Sequence, residues 1–268
     1  MITSFRMYNA GPRAEAAWRA LFTRVFADAG VDIQVVHHAF PKPIDALWSE
    51  PELCCAFMCG WPFVRSTEGQ QAIAAPVPSP ARYEGLPRYC SDYVVRESSG
   101  WTSLEETFGH RFGWMSKNSQ SGFNAPRSHL ASLVTESRPT LFSEVRGPLG
   151  APTTTLGALR DQTVDVVALD GFWLDLLRYH HPERMEGLRV IGSTPWAPIP
   201  LLVAAPGVDL EIVTRLREFL GGLDSLPEYR PLLREALLAR FTCPESSSYA
   251  VLQEMAMEAE RRGYAQIR

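Results

Sequence analysis

Apolar and polar positions change period repeatedly along this chain. Residues 2–9, ITSFRMYN, read as a first strand ending at Met7-Tyr8. Trp18, Leu21, Phe22, Val25 and Phe26 recur at helical spacing, which predicts a helix over 13–28 closed by Gly30. A strand is expected over 31–37 and a short helical turn over 43–48. The continuous apolar run ELCCAFM, 52–58, reads as a buried strand of parallel type, ending where Cys59-Gly60-Trp61-Pro62 forces a sharp turn. Further strands are expected at 70–77, 89–96, 111–115, 141–145, 164–169, 188–191 and 201–205. Helices are expected at 102–108, 153–160, 171–179, 209–221, 227–239 and 247–262, the last capped by one of Ser246, Ser247 or Ser248. Another follows the polar turn after Met115 and runs through Leu133. Strands alternating with helices predict an α/β protein with parallel sheets, in which ligands sit at the carboxyl ends of strands.

The most polar of those strand ends is GWMSKNSQSGFNAPR, Gly113 to Arg127. Ser116, Asn118, Ser119, Gln120 and Ser121 precede Gly122 at the start of a helix. Hydroxyl and amide side chains there satisfy free N–H groups, and the same N–H groups, at the positive end of the helix dipole, suit an anion. The turn holds more donors than capping requires, which makes it a candidate ligand turn; an over-capped loop is the plainer alternative. Thr153-Thr154-Thr155 begins another helix in the same way, one threonine as its cap and Thr153 or Thr154 as a candidate anion donor. Asp170 ends the apolar strand DVVALD, where it either caps the next helix or accepts hydrogen bonds from a ligand cation. Tyr8 and Trp61 stand at strand ends, as walls of a ligand site or as core.

Composition narrows the chemistry. The chain has 268 residues, 46% hydrophobic and 21% charged, enough for one large domain or two lobes. A net charge of −4 offers no footprint for nucleic acid or an anionic membrane. The five cysteines, two of them adjacent, form neither a disulfide framework nor a paired zinc spacing and read as free thiols. The adjacent pairs His37-His38 and His180-His181 read as surface or strand-edge positions, and His110 and His129 have no partner pattern. No catalytic fingerprint, metal set or cofactor motif is present. No apolar run approaches the length of a membrane span, and no leader pattern precedes the first strand. The expected location is periplasmic if a leader has been removed, otherwise cytoplasmic.

Several of these residues, in order, resemble the phosphate/phosphite/phosphonate substrate-binding proteins of ABC transporters. Ser119-Gln120-Ser121-Gly122-Phe123 resembles that family's STSGY turn, and Met7-Tyr8 its first strand end. Leu47-Trp48 with Pro51-Glu52-Leu53 resembles its LW…PDL, and Cys59-Gly60-Trp61-Pro62 its CGYP. Tyr89-x-Ser91 before Val94-Val95-Arg96 resembles its YxSxxVVR, and Asp165 to Asp170 its DVAAID. The resemblance spans about residues 1–205. It implies a two-lobed, type 2 periplasmic-binding fold, each lobe a mostly parallel sheet flanked by helices. Two hinge crossings would lie near Tyr89–Arg96 and Ser193–Leu201. Lobe one would be 1–92 plus 198–268, and lobe two 93–197. The implied function is capture of a small oxyanion, phosphate- or phosphonate-like, in the interlobe cleft by a monomer serving an ABC permease, without catalysis or cofactor. The implied ligand residues are Tyr8, Gly60, Trp61, Ser91, Ser119, Gln120, Ser121, Thr153, Thr154 and Asp170. Gln120 stands where the family has Thr, and Gly150-Ala151-Pro152 where it often has Gly-Ser-His, which widens the ligand class to other small anions or polar metabolites. The competing expectation is an enzyme or ligand sensor on the same fold, acting on a small metabolite in the cytoplasm.

Overall fold

The computed structural model describes residues 1–268, which divide into two compact units. Unit 1 comprises Met1–Arg88, Tyr179–His181 and Pro198–Tyr249; unit 2 comprises Tyr89–Arg178, Pro182–Ala197 and Ala250–Arg268. Residues 250–268, grouped with lobe one on sequence, fold instead against unit 2.

Unit 1 is built on a six-stranded sheet. Its strands are β1 (Ile2–Ser4), β2 (Gln34–Val35), β3 (Leu53–Met58) and β4 (Gln71–Pro78), with β12 (Leu201–Ala204) and β13 (Leu238–Thr242) from later in the chain. The spatial order is β13-β4-β12-β3-β1-β2. β1 pairs in parallel with β2 and β3, whereas β12 is antiparallel to β3 and β4, and β13 to β4. Helix α1 (Pro12–Asp28) starts on a proline, whose missing N–H is unneeded in a first turn. It buries Trp18, Leu21, Phe22, Val25 and Phe26. Trp18 and Phe22 pack with Phe5 and Phe57 into an aromatic core, each buried ring contributing about 1.5–3 kcal/mol. The other helices begun in this part of the chain are α2 (Ile44–Trp48) and α3 (Gly60–Arg65).

Unit 2 carries β6 (Ser91–Arg96), β7 (Arg111–Gly113), β8 (Glu144–Arg146), β9 (Val166–Asp170) and β10 (Leu188–Ser193), in the order β10-β6-β9-β7-β8. β9, β7 and β8 run parallel; β6 is antiparallel to both its neighbours. A two-stranded ribbon of β5 (Arg88–Tyr89) and β11 (Ala197–Pro198) forms where the chain passes from one unit to the other. The helices here are α4 (Ala125–Ala131), α5 (Pro152–Arg160) and α6 (Gly171–His180). Later come α7 (Leu210–Gly221) and α8 (Arg230–Glu235) in unit 1, and α9 (Val251–Arg261) in unit 2. Buried Phe112, Leu130, Phe142 and Val166 form the unit 2 core with Ala259, Tyr264 and Ile267 of the C-terminal segment, which explains why that segment belongs here. Asp165 locks α5 to the sheet. It takes a two-pronged bond from Arg111 (2.8 and 2.9 Å) and one from Arg96 (2.8 Å), while Arg96 also donates to the carbonyls of Leu159 and Val164. These guanidinium bonds, Arg111's first, hold the Asp165 carboxyl well below the usual carboxylate range.

The α/β class follows the hydrophobic pattern, but both sheets are mixed rather than mostly parallel. Other differences are local. The first strand stops at Ser4 and a 3-10 turn, Arg6–Tyr8, replaces its end. The helix expected over 102–108 is a single 3-10 turn, Glu105–Thr107. The helix expected over 227–239 ends at Glu235. Leu237 then takes a positive φ of 52°, and the chain continues as β13, whose Leu238 and Phe241 are buried. Helix α9 begins at Val251 behind Ala250 rather than at a serine cap. His180 is buried rather than superficial, its Nε2–H donating to the carbonyl of Glu235 (2.8 Å).

Candidate functional site

In unit 2 the parallel pairing of β8, β7 and β9 brings three strand ends, and so three helix starts, to one edge of the sheet. β8 leads to Thr153 and Thr154 at the start of α5, β7 to the Ser119–Ser121 turn, and β9 to Asp170 at the start of α6. β6 runs the other way, so its first residue, Ser91, pairs with Asp170 at that same edge. The structure thus brings together seven of the ten sequence candidates within one unit.

The turn after β7 opens as a π-helical segment, Gln120–Asn124, which continues into α4. Its ladder is one residue wider than an α-helix: Asn124 N–H donates to Ser119 O (3.1 Å). Such segments occur often at functional sites. Ser119 is the cap, its Oγ accepting from Gly122 N–H at 2.8 Å. Gly122 is required here. A Cβ on it would lie 2.5 Å from Met115 Cβ, because Met115 N–H donates to the Gly122 carbonyl across the turn. The backbone N–H groups that open a helix have no intrahelical acceptor, and those of Gln120 and Ser121 make no hydrogen bond elsewhere in the turn. Ser121 is buried, and its hydroxyl takes no part in the turn's hydrogen bonds.

The Gln120 side chain points elsewhere. It is fully buried, its Oε1 accepting from Asn124 Nδ2 (2.8 Å) and its Nε2 donating to Met255 Sδ (3.7 Å) on α9. Only the backbone of Gln120 is placed to serve a ligand. Thr154 is likewise occupied: Oγ1 accepts from Ala151 N–H (3.1 Å) and donates to the carbonyls of Leu149 and Ala151. Thr155 Oγ1 donates to Ala151 O at 2.8 Å. These two threonines close the helix start, and Thr153, half-buried, is the one whose hydroxyl they leave over.

Asp170 is a cap as well. Its Oδ1 accepts from Phe172 N–H (2.8 Å) and Trp173 N–H (3.0 Å), opening α6. Burial pushes its carboxyl up to about 7, against the two backbone bonds, with Asp92 and Asp175 adding like-charge repulsion. Beside it the Ser91 hydroxyl is buried without a hydrogen-bond partner, although the Ser91 backbone is fully engaged with Thr194 (2.9 Å each way). An unsatisfied buried hydroxyl costs about 1–3 kcal/mol, a cost that a bound ligand or water would relieve.

In unit 1 the carboxyl ends of the parallel neighbours β1 and β3 lead to Tyr8 and to Gly60-Trp61. The Tyr8 ring lies in the core, stacked on Trp18 (5.4 Å between centroids) and edge-on to Phe57 (5.1 Å). Of its two sequence readings, core is the one its ring shows. Gly60 and Trp61 form the first turn of α3, a helix the sequence reading passed over as a sharp bend. Trp61 is half-buried under the guanidinium of Arg65, 4.9 Å from the ring centroid. Asn124 and Arg127, which hold the turn from behind, were missed as well. Their spacing of four and seven residues from Gln120 was the available signal.

Comparison with known proteins identifies the family and the fold. The family model for the ABC-transporter phosphonate periplasmic substrate-binding protein matches residues 8–249. The phosphonates-binding periplasmic protein of Escherichia coli (strain K12) is 24% identical over 184 residues, covering 67% of this chain and 54% of its own length, so the chain spans about half of that curated relative. Among solved structures, a binding component of an ABC phosphonate transporter from Pseudomonas aeruginosa superposes with a TM-score of 0.80 at 17% identity, covering 98% of this chain and 87% of the other. PhnD1 from Prochlorococcus marinus (MIT 9301), solved in complex with methylphosphonate, gives 0.76 at 17% identity with 97% of each chain covered. These two establish the type 2 periplasmic-binding fold. The matched family is a transporter's substrate-binding component rather than an enzyme. No helix is long and apolar enough to cross a membrane. The chain therefore belongs to the family of phosphonate periplasmic substrate-binding proteins of ABC transporters.

Proposed function

We propose that this protein captures a small phosphonate- or phosphate-like oxyanion and delivers it, as a periplasmic monomer, to an ABC permease. The observation that carries this reading is the Ser121 corner: a buried hydroxyl outside the turn's own hydrogen bonds, beside the two N–H groups that open a helix. Donors of this kind bind an anion through charge-assisted bonds, about twice as strong as neutral ones. The Ser91 hydroxyl and the α5 start with Thr153 supply further donors at the same sheet edge. Asp170 Oδ2 supplies an acceptor for a ligand that carries an ammonium group as well as the anion.

Calorimetric titration with inorganic phosphate, methylphosphonate and an aminoalkylphosphonate tests the reading. At least one should bind, and Ser121→Ala should weaken that binding by about tenfold or more, the loss of a hydrogen bond to a charged group. Absence of binding by all three, or affinity indifferent to Ser121→Ala, overturns it.

A further inference from the structure

We infer that the C-terminal segment is the buttress that fixes the ligand turn, acting through Asn124 as a positioning residue; this rests on the reading of Ser119–Ser121 as anion donors. The wide π-helical ladder sets which way Ser121 and the opening N–H groups face, and such a ladder is less favourable than a regular α-helix unless something holds it. What holds it lies behind the turn. Asn124 Nδ2 donates both to Gln120 Oε1 (2.8 Å) and to the Leu252 carbonyl on α9 (3.0 Å), so one amide ties the first and last residues of the π segment to the C-terminal helix. Its Oδ1 accepts from Arg127 (3.2 Å), and Arg127 donates onward to the Ala265 carbonyl (3.0 Å). Asn124 is fully buried and Arg127 nearly so. A buried network of this kind gives one arrangement, because any rotation of the turn strands a donor in a low-dielectric interior. The acceptors on α9 and beyond lie outside the span 8–249 that the family model matches. Gln120 is long enough to reach this network and is spent on it.

The test uses the whole chain with two substitutions. Asn124→Asp keeps the acceptor for Arg127 and removes both donated bonds; Gln120→Met keeps the volume and removes one. Two quantities are read: the methylphosphonate dissociation constant by calorimetry, and amide hydrogen exchange without ligand, comparing 119–124 with β6 and β9. With the buttress as inferred, Asn124→Asp speeds exchange in 119–124 by about tenfold or more with β6 and β9 unchanged. It also weakens methylphosphonate by about tenfold, and Gln120→Met moves both the same way by about threefold. Exchange in 119–124 unchanged by either substitution, or faster exchange there with affinity within twofold of the parent, overturns the inference. Exchange that accelerates equally across β6 and β9 overturns it too, since the role would then be general stability. Should Asn124→Asp not fold, Gln120→Met decides alone. If the parent protein binds neither methylphosphonate nor phosphate, the functional reading falls while the exchange measurement still decides whether α9 holds the turn.

Discussion

Two helix starts in unit 2 carry nearly the same chemistry and use it differently. The α5 start presents three consecutive threonines, and two of them turn back onto the carbonyls of Leu149 and Ala151, closing the start against its own loop. The turn after β7 presents Ser119, Gln120 and Ser121. Only Ser119 caps, Gln120 reaches backwards to α9, and Ser121 is left over. Hydroxyl density therefore does not by itself mark a ligand site. What separates the two is where each side chain finds its nearest acceptor. At α5 that acceptor is the preceding loop. In the π segment Ser121 makes no bond to a local carbonyl, and Gly122 leaves room for Met115.

Four measurements test this contrast. The largest effect is expected at a third helix start, α6, whose cap is a carboxylate. Asp170 titrates near 7 in the folded protein, and an unfolded aspartate near 4, so folding takes up a proton between these values. Its contribution to stability is fully present below about pH 4 and is lost as pH rises through about 7, on the order of a few kcal/mol. Asp170→Asn, which retains the capping oxygen, should flatten the fall in urea-unfolding stability over that window. An unchanged profile would show that the carboxyl is not held in its acid form. Next, Gly122→Ala should cost about 1–3 kcal/mol through overpacking against Met115 and should abolish anion binding with it, as read by thermal melts beside calorimetry. Thr154→Ala should cost about 1 kcal/mol as a lost cap while anion affinity stays within about twofold; a large affinity loss would make the α5 start a second donor site of equal rank. The smallest effect has the opposite sign. Gly157, inside α5 with nothing within 4 Å of an added Cβ, should gain about 0.5–1 kcal/mol as alanine, measured as a raised midpoint.

Much of this was legible in the chain. The alternation of periods gave the α/β class, and the buried run at 53–58 and the strand ending in Asp170 stand where the pattern put them. Polar crowding at 116–121 marked the turn. What could not be read were outcomes decided by distant partners. Gln120 and Asn124 find theirs on α9, 128 residues beyond Asn124, and no local pattern reports which way a glutamine will turn. Tyr8, at a strand end, suited either a wall or the core, and it was Trp18 and Phe57, distant in sequence, that claimed its ring. Residues 238 and 239 were expected to end a helix, but they open β13, and pairing with β4 outweighed local preference.

The π-helical segment also makes the ligand turn a matter of counting. Each residue of a regular helix advances the chain by about 100° around its axis. Deleting a single position between Ser119 and Asn124 would spare the capping serine and the buried asparagine. It would nonetheless let the ladder relax to ordinary spacing and swing everything before Asn124 by roughly that angle. Related chains aligned by composition alone could thus carry every polar residue of this turn and present none of them to an anion. Length between Ser119 and Asn124, more than the letters at those positions, is the quantity to compare when asking which relatives share this site.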